Sequence, residues 1–155
     1  MNEQNNNIDA ELLEIDVSIT KAILDYVNTW SGKPVDITLN MSDKEPPAMM
    51  LLQQGSSFKQ AEYVDGSFIG KYPFYVYSRI NGADTQARLT AIKELETLFA
   101  WFKTNEHDGI TPNLGENKKY QKIVMTTNPS LATQYDNGYE DYSTTFILTY
   151  QFKKS

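Results

Sequence analysis

The side chains able to do chemistry are few. The single histidine, His107, lies in the polar run Asn105–Gly109 with Glu106 and Asp108 on either side. Three consecutive side chains rarely converge on one ion, because metal sites draw their ligands from separated positions. There is no cysteine, which excludes a thiolate nucleophile, a disulfide and a Cys-based zinc site. No Gly-x-Ser-x-Gly elbow, phosphate-binding loop or Gly-x-Gly-x-x-Gly turn occurs. Two acid pairs could serve general acid–base chemistry, Glu140 with Asp141 and Glu94 with Glu96. Neighbours on a strand point to opposite faces. Residues two apart on a helix lie about 200° apart. Neither pair therefore makes a dyad by itself. The one basic run, Lys118-Lys119-Tyr120-Gln121-Lys122, is too short for a nucleic-acid footprint. The expectation is a chain that is not an enzyme and needs no cofactor or metal.

The elements that must position these groups follow from periodicity. The first seven residues contain four Asn and no core candidate, which predicts a disordered tail over 1–7 and a single domain over 8–155. Ile8, Leu12, Ile15, Ile19, Ala22, Tyr26 and Trp30 form one face of a long helix. Leu13, Val17, Ile23 and Val27 widen that stripe. Asn7 or Asp9 caps its start, and Gly32 with Pro34 ends it. Short strands are expected at Val35–Leu39 and Ala48–Gln54, with a loop at Ser42–Pro47 between them. Asp65-Gly66 joins two β-rich arms, Phe58–Val64 and Ser67–Ile80, as a tight hairpin. The second arm is apolar on both faces and so reads as central, with a bulge or bend at Gly70 and Pro73. A second helix, capped by Asp84 or Thr85, buries Leu89, Ile92, Leu95, Phe99 and Phe102, with Ala91 and Leu98 beside that stripe. Thr104–Lys119 has no periodicity and reads as a long loop with too little apolar material to settle by itself. A strand over Tyr120–Thr126, a turn at Asn128-Pro129, an edge segment Leu131–Tyr135 and a turn at Asp136–Gly138 lead to a final alternating strand, Tyr142–Phe152. The fold class is therefore α+β, a mainly antiparallel sheet with two long helices on one face.

Composition fits this reading. The chain has 155 residues, 40% hydrophobic and 22% charged, with an aromatic share of 12% suited to sheets and interfaces. The net charge is −6, and all of it falls in residues 1–50, where acids outnumber lysines nine to three. The plain reading is a solvated helix face, and the sharper one is a surface that repels phosphates or meets a basic partner. The first residues carry no signal-peptide pattern, and no apolar run is long enough to span a membrane.

Three stretches resemble the minor capsid proteins of long-tailed phages and prophages of Gram-positive bacteria, of the tail-terminator class. The first is Glu62-Tyr63-Val64-Asp65-Gly66-Ser67 through Tyr72-Pro73-Phe74 to Tyr77-Ser78-Arg79. The second is Ala83-Asp84-Thr85-Gln86-Ala87-Arg88-Leu89. The third runs from Met125-Thr126-Thr127-Asn128-Pro129-Ser130 through Gln134–Gly138 and Glu140-Asp141-Tyr142 to Phe146–Tyr150. The resemblance covers about residues 8–152, and its departure is the Asn-rich N-terminus. It implies an α+β fold and a structural role: a homo-hexameric ring that ends the tail tube at its head-proximal end. The implied partners are further copies, the tail tube protein and a neck or head-completion protein. DNA would pass through the lumen without specific binding. The implied location is the virion's tail–neck junction, after assembly in the host cytoplasm. Candidate interaction residues lie in loops and turns: Asp65, Gly66, His107, Ile110, Leu114, Asn137 and Gly138. The alternative from a different class is a small aromatic-lined ligand-binding or enzymatic α+β domain of the cone-shaped type. A catalytic version would want a histidine in the pocket, and His107 reads as a loop residue.

Overall fold

Asp9 caps the first helix, α1 (Ala10–Val27), by accepting the Glu11 N–H at 3.0 Å in the computed structural model, which describes residues 9–154. The expected tail over 1–7 lies outside those residues. Leu12, Ile15, Ile19, Ile23, Tyr26 and Val27 are buried along one stripe of α1. The stripe is narrower than its sequence suggests, since Leu13 is 53% and Val17 73% exposed. The helix also ends earlier than Gly32. Asn28 stops it: its amide nitrogen donates to the Leu24 and Ile37 carbonyls, and its amide oxygen accepts the Ile37 N–H at 2.8 Å. The same side chain thus ties α1 to β1 (Ile37–Thr38), which is shorter than the expected strand.

The remaining elements are β2 (Ala48–Gln53), β3 (Phe58–Glu62), β4 (Phe68–Asn81), α2 (Thr85–His107), β5 (Lys118–Gln134) and β6 (Tyr139–Phe152). They form one sheet in the order β1-β2-β4-β6-β5, with β3 also paired to β4. Every pairing is antiparallel except the parallel pairing of β1 with β2. Both helices cover the same face. From α1, Thr20 hydrogen-bonds the Tyr72 hydroxyl at 2.5 Å. From α2, Phe102 meets Phe146 edge-on with ring centres 5.2 Å apart. Tyr72 and Phe146 share a face, because Tyr72 pairs with Leu148 and Phe74 with Phe146. The architecture is α+β, an open sheet under two long helices.

Strand β4 is central, as its two apolar faces require, but it carries no bulge against β6. Gly70 serves packing instead. A Cβ there would lie 2.3 Å from the Tyr150 ring, which covers the bare backbone. Pro73 sits where β4 changes neighbours: β2 ends at Gln53 opposite Phe74, and β3 starts at Phe58 opposite Lys71. The Pro73 carbonyl accepts the Gln54 N–H at 2.9 Å, and the N–H that proline lacks would point into the same gap.

Three expectations need correction. In α2 the buried residues are Ala91, Leu95, Leu98 and Phe102, while Leu89 is 57% exposed. At 100° per residue Leu89 lies about 150° from that stripe's centre. The stretch after α2 is not a loose sixteen-residue loop, because α2 runs to His107 and β5 begins at Lys118. Leu114 is buried in the core, and the Ile110 carbonyl accepts the Tyr26 hydroxyl at 3.0 Å. These anchors hold the segment within the monomer. Asn128-Pro129 does not turn the chain either. β5 continues through it, absorbing one extra residue as a register shift between Thr127 and Ser130.

Candidate functional site

Glu140 and Asp141 point to opposite faces of β6, and each finds an arginine there. Asp141 takes Arg79 in two hydrogen bonds of 2.8 and 3.0 Å. Arg79 is itself buried and donates further to the Met41, Ser42 and Lys44 carbonyls and to the Tyr135 hydroxyl. One guanidinium therefore pins the 41–44 loop and the end of the β5–β6 ribbon to the open face of the sheet. On the helix face, Glu140 accepts Arg88 of α2 at 2.9 and 2.8 Å, and Gln134 at 3.0 Å. The Gln134 bond and the Arg88 bonds hold the Glu140 carboxyl below the usual carboxylate range, against the pull of burial. The Gly82 N–H donates to the Gly138 carbonyl at 2.8 Å and closes the same end. Each carboxylate is thus held in place by an arginine and a second donor, Tyr135 for Asp141 and Gln134 for Glu140.

The loop candidates separate into two groups. Asp65 and Gly66 form the β3–β4 turn, with Gly66 at φ 88°. The Asp65 side chain accepts the Ser67 N–H at 2.9 Å, which lowers its pKa, and Lys153 lowers it further. The Lys153 N–H bonds the Asn117 carbonyl, so this turn lies at the same end of the sheet as the segment leading into β5. His107 is not the loop residue expected: it is the exposed last residue of α2, and exposed Ile110 follows just beyond. Leu114 is removed from the surface by its burial. Asn137 and Gly138 form the β5–β6 turn at the opposite end, and Gly138 takes φ 92°. Fourteen paired residues separate the two ends, or about 44 Å at strand rise. These residues do not converge on one site.

The strongest surface feature is β5. It pairs with β6 on one side and, among the described residues, with no strand on the other. From Thr126 to Gln134 every residue except Pro129 is exposed, including Leu131 at 43%. The first half carries Lys118, Lys119 and Lys122, and the second half carries no charge. Bulges and edge lysines blunt unselective pairing.

A groove of about 530 Å³ runs along α1. Leu13, Val17, Leu24 and Leu39 wall it, and these include the two α1 residues that miss the core. Polar groups of β2, α1 and the 55–57 turn lie beneath. Asp16, only 6% exposed, accepts Gln53 Nε2 at 2.7 Å and Ser57 Oγ at 2.6 Å. Nothing in the sequence singles out Asp16 beyond its being an acid one position from a buried Ile15, next to an apolar Val17. Close by, Lys59 contacts Asp9, Glu11 and Glu62. Burial opposes the Lys59 charge, but those carboxylates outweigh it and raise its pKa. The Tyr150 hydroxyl is fully buried with no hydrogen-bond partner among the described residues. Burial, then the Asp16 carboxylate, pushes that phenol up. The aromatic rings of β4 and β6 do not line the groove: Phe68, Tyr72, Phe74, Phe146 and Tyr150 are sealed in the core.

No protein-family model matches the chain, and no curated protein matches it.

Proposed function

We propose that the chain is a structural subunit of a ring at the head-proximal end of a phage tail tube, the tail-terminator role that the resemblance implies. The observation that carries this reading is β5. A strand held on one side only, and exposed along its distal half, is costly in an isolated monomer and useful in an assembly. A contact between such an edge and a different patch on the next copy is heterologous, and heterologous contacts close into a ring when the rotation between copies divides a full turn. In this reading the partners are further copies, the tube protein and a neck protein, and the location is the virion. The Arg79–Asp141 and Arg88–Glu140 pairs fit a scaffold that holds its outer ribbon in one position. Light scattering of the concentrated protein tests it. Six chains of 17.7 kDa give about 106 kDa, and Leu131→Asp on the exposed ribbon should return the 17.7 kDa monomer with an unchanged melting temperature. A monomer at every concentration, alone and with tail tubes, contradicts the reading.

The α1 groove favours a second reading, a small ligand-binding domain. Its volume falls in the usual range for small-molecule sites, roughly 300–1,000 Å³. Its walls are aliphatic, so it would take an alkyl chain rather than a stacked ring.

A further inference from the structure

We propose that the α1 groove binds a primary ammonium group carried on an aliphatic stem, with Asp16 as its counter-ion. This deepens the ligand-binding reading and does not depend on ring assembly.

The argument starts from Asp16. Its carboxylate is buried, yet both of its hydrogen-bond donors, Gln53 and Ser57, are neutral. Among the described residues no cationic nitrogen lies within ion-pair distance of it. Lys59 is turned to Asp9, Glu11 and Glu62, and Lys21 at the groove's rim pairs with Asp25 at 3.0 Å. A buried carboxylate without a counter-charge is expensive, and a cation from outside relieves that cost. Each carboxylate oxygen has room for a second hydrogen bond, since a carboxylate offers about four acceptor positions. Each oxygen already accepts one bond, which hinders the paired approach of a planar guanidinium fork. An ammonium is a compact charge and needs only one free lone pair. Leu13, Val17 and Leu39 then account for the stem: they are aliphatic groups lining the same groove as the carboxylate and stay exposed among the described residues.

Ammonium on an alkyl stem describes both a free alkylamine and a lysine side chain of a partner protein. Backbone-amide NMR titration of the full chain separates these sources. n-Hexylammonium should saturate shifts at Asp16, Val17, Gln53 and Ser57. n-Butylammonium, two methylenes shorter, should bind about tenfold more weakly. 1-Hexanol should bind far more weakly and hexanoate not at all. Asp16→Asn, whose amide can keep the Ser57 and Gln53 bonds, should cost at least tenfold in hexylammonium affinity. Val17→Arg on the exposed wall sets its own cation over the site and should abolish binding without altering the fold. Tighter binding of Nα-acetyl-lysine N-methylamide than of hexylammonium assigns the source to a protein lysine, and the reverse order assigns it to a free amine. Equal binding of 1-hexanol and hexylammonium, or undiminished binding by Asp16→Asn or Val17→Arg, overturns the ammonium assignment while leaving a ligand groove. No saturable binding of any probe overturns the ligand-binding reading too.

Discussion

Replacing Arg79 by Met keeps the alkyl stem and removes every polar contact of the guanidinium. Asp141, 4% exposed, would lose two charge-assisted bonds and keep only the Tyr135 hydroxyl at 2.7 Å. The Met41, Ser42 and Lys44 carbonyls would lose their shared donor. Breaking one half of a buried ion pair costs about 3–5 kcal/mol, because the remaining charge stays buried without a partner. In a domain of this size each kcal/mol moves the melting temperature by roughly 2–4 °C, so Arg79→Met should melt roughly 6–20 °C lower. Urea unfolding of Arg79→Met, Asp141→Leu and the double variant measures the coupling directly. The double variant removes the stranded charge and should cost less than the sum of the singles by about 2 kcal/mol. What then remains is the loss of the carbonyl contacts to the 41–44 loop. Arg79→Lys should recover only part of the stability, since an ammonium cannot reproduce the fork. A loss under about 1 kcal/mol for Arg79→Met, or singles that add to within about 0.5 kcal/mol, would refute the buried-pair argument.

Gly70→Ala should cost about 1–3 kcal/mol through its collision with the Tyr150 ring, and Tyr150→Leu in the same chain should recover part of it; equal stability of Gly70→Ala and wild type in urea would show the ring to be displaceable. Phe146→Ala should cost about 3–5 kcal/mol, as it empties the site packed by Phe74, Phe99 and Phe102, and a loss under about 1 kcal/mol would place it outside the core. Leu114→Ala should cost about 2–5 kcal/mol, whereas a free loop would lose almost nothing. Burial alone raises the Glu94 pKa, so its charge opposes folding above the ordinary carboxylate range, and this penalty vanishes below it. Glu94→Gln should therefore raise the melting temperature at pH 7 and lose that advantage as the pH falls below Glu94's ordinary value; a gain equal at both pH values would rule out titration as its source.

Periodicity located both helices, the central strand and the final strand, because each buries one regular stripe or two apolar faces. It failed where burial is decided by neighbours. Leu13 and Val17 look like core residues in sequence, but α1 meets the sheet along a single stripe and leaves them over the groove. Leu114 looks like a loop residue, but it reaches the core from an aperiodic segment held by the Tyr26 hydroxyl. Asn128-Pro129 carries the residues of a turn, yet a long outer strand tolerates them as a bulge. The opposite-face rule separated Glu140 from Asp141 correctly, while their arginine partners lie 52 and 62 positions away in the chain, beyond any local pattern. Asp16 differs from other helix acids only through Gln53 and Ser57, which the fold brings to it.

Tube polymerisation in the presence of the chain tests the ring account most directly. Purified tail tube protein is assembled with and without it, and tube lengths and ends are read by negative-stain microscopy. The account predicts shorter tubes that stop growing, each carrying an extra ring at one end, and no such effect from Leu131→Asp. Tubes of unchanged length with bare ends would contradict it.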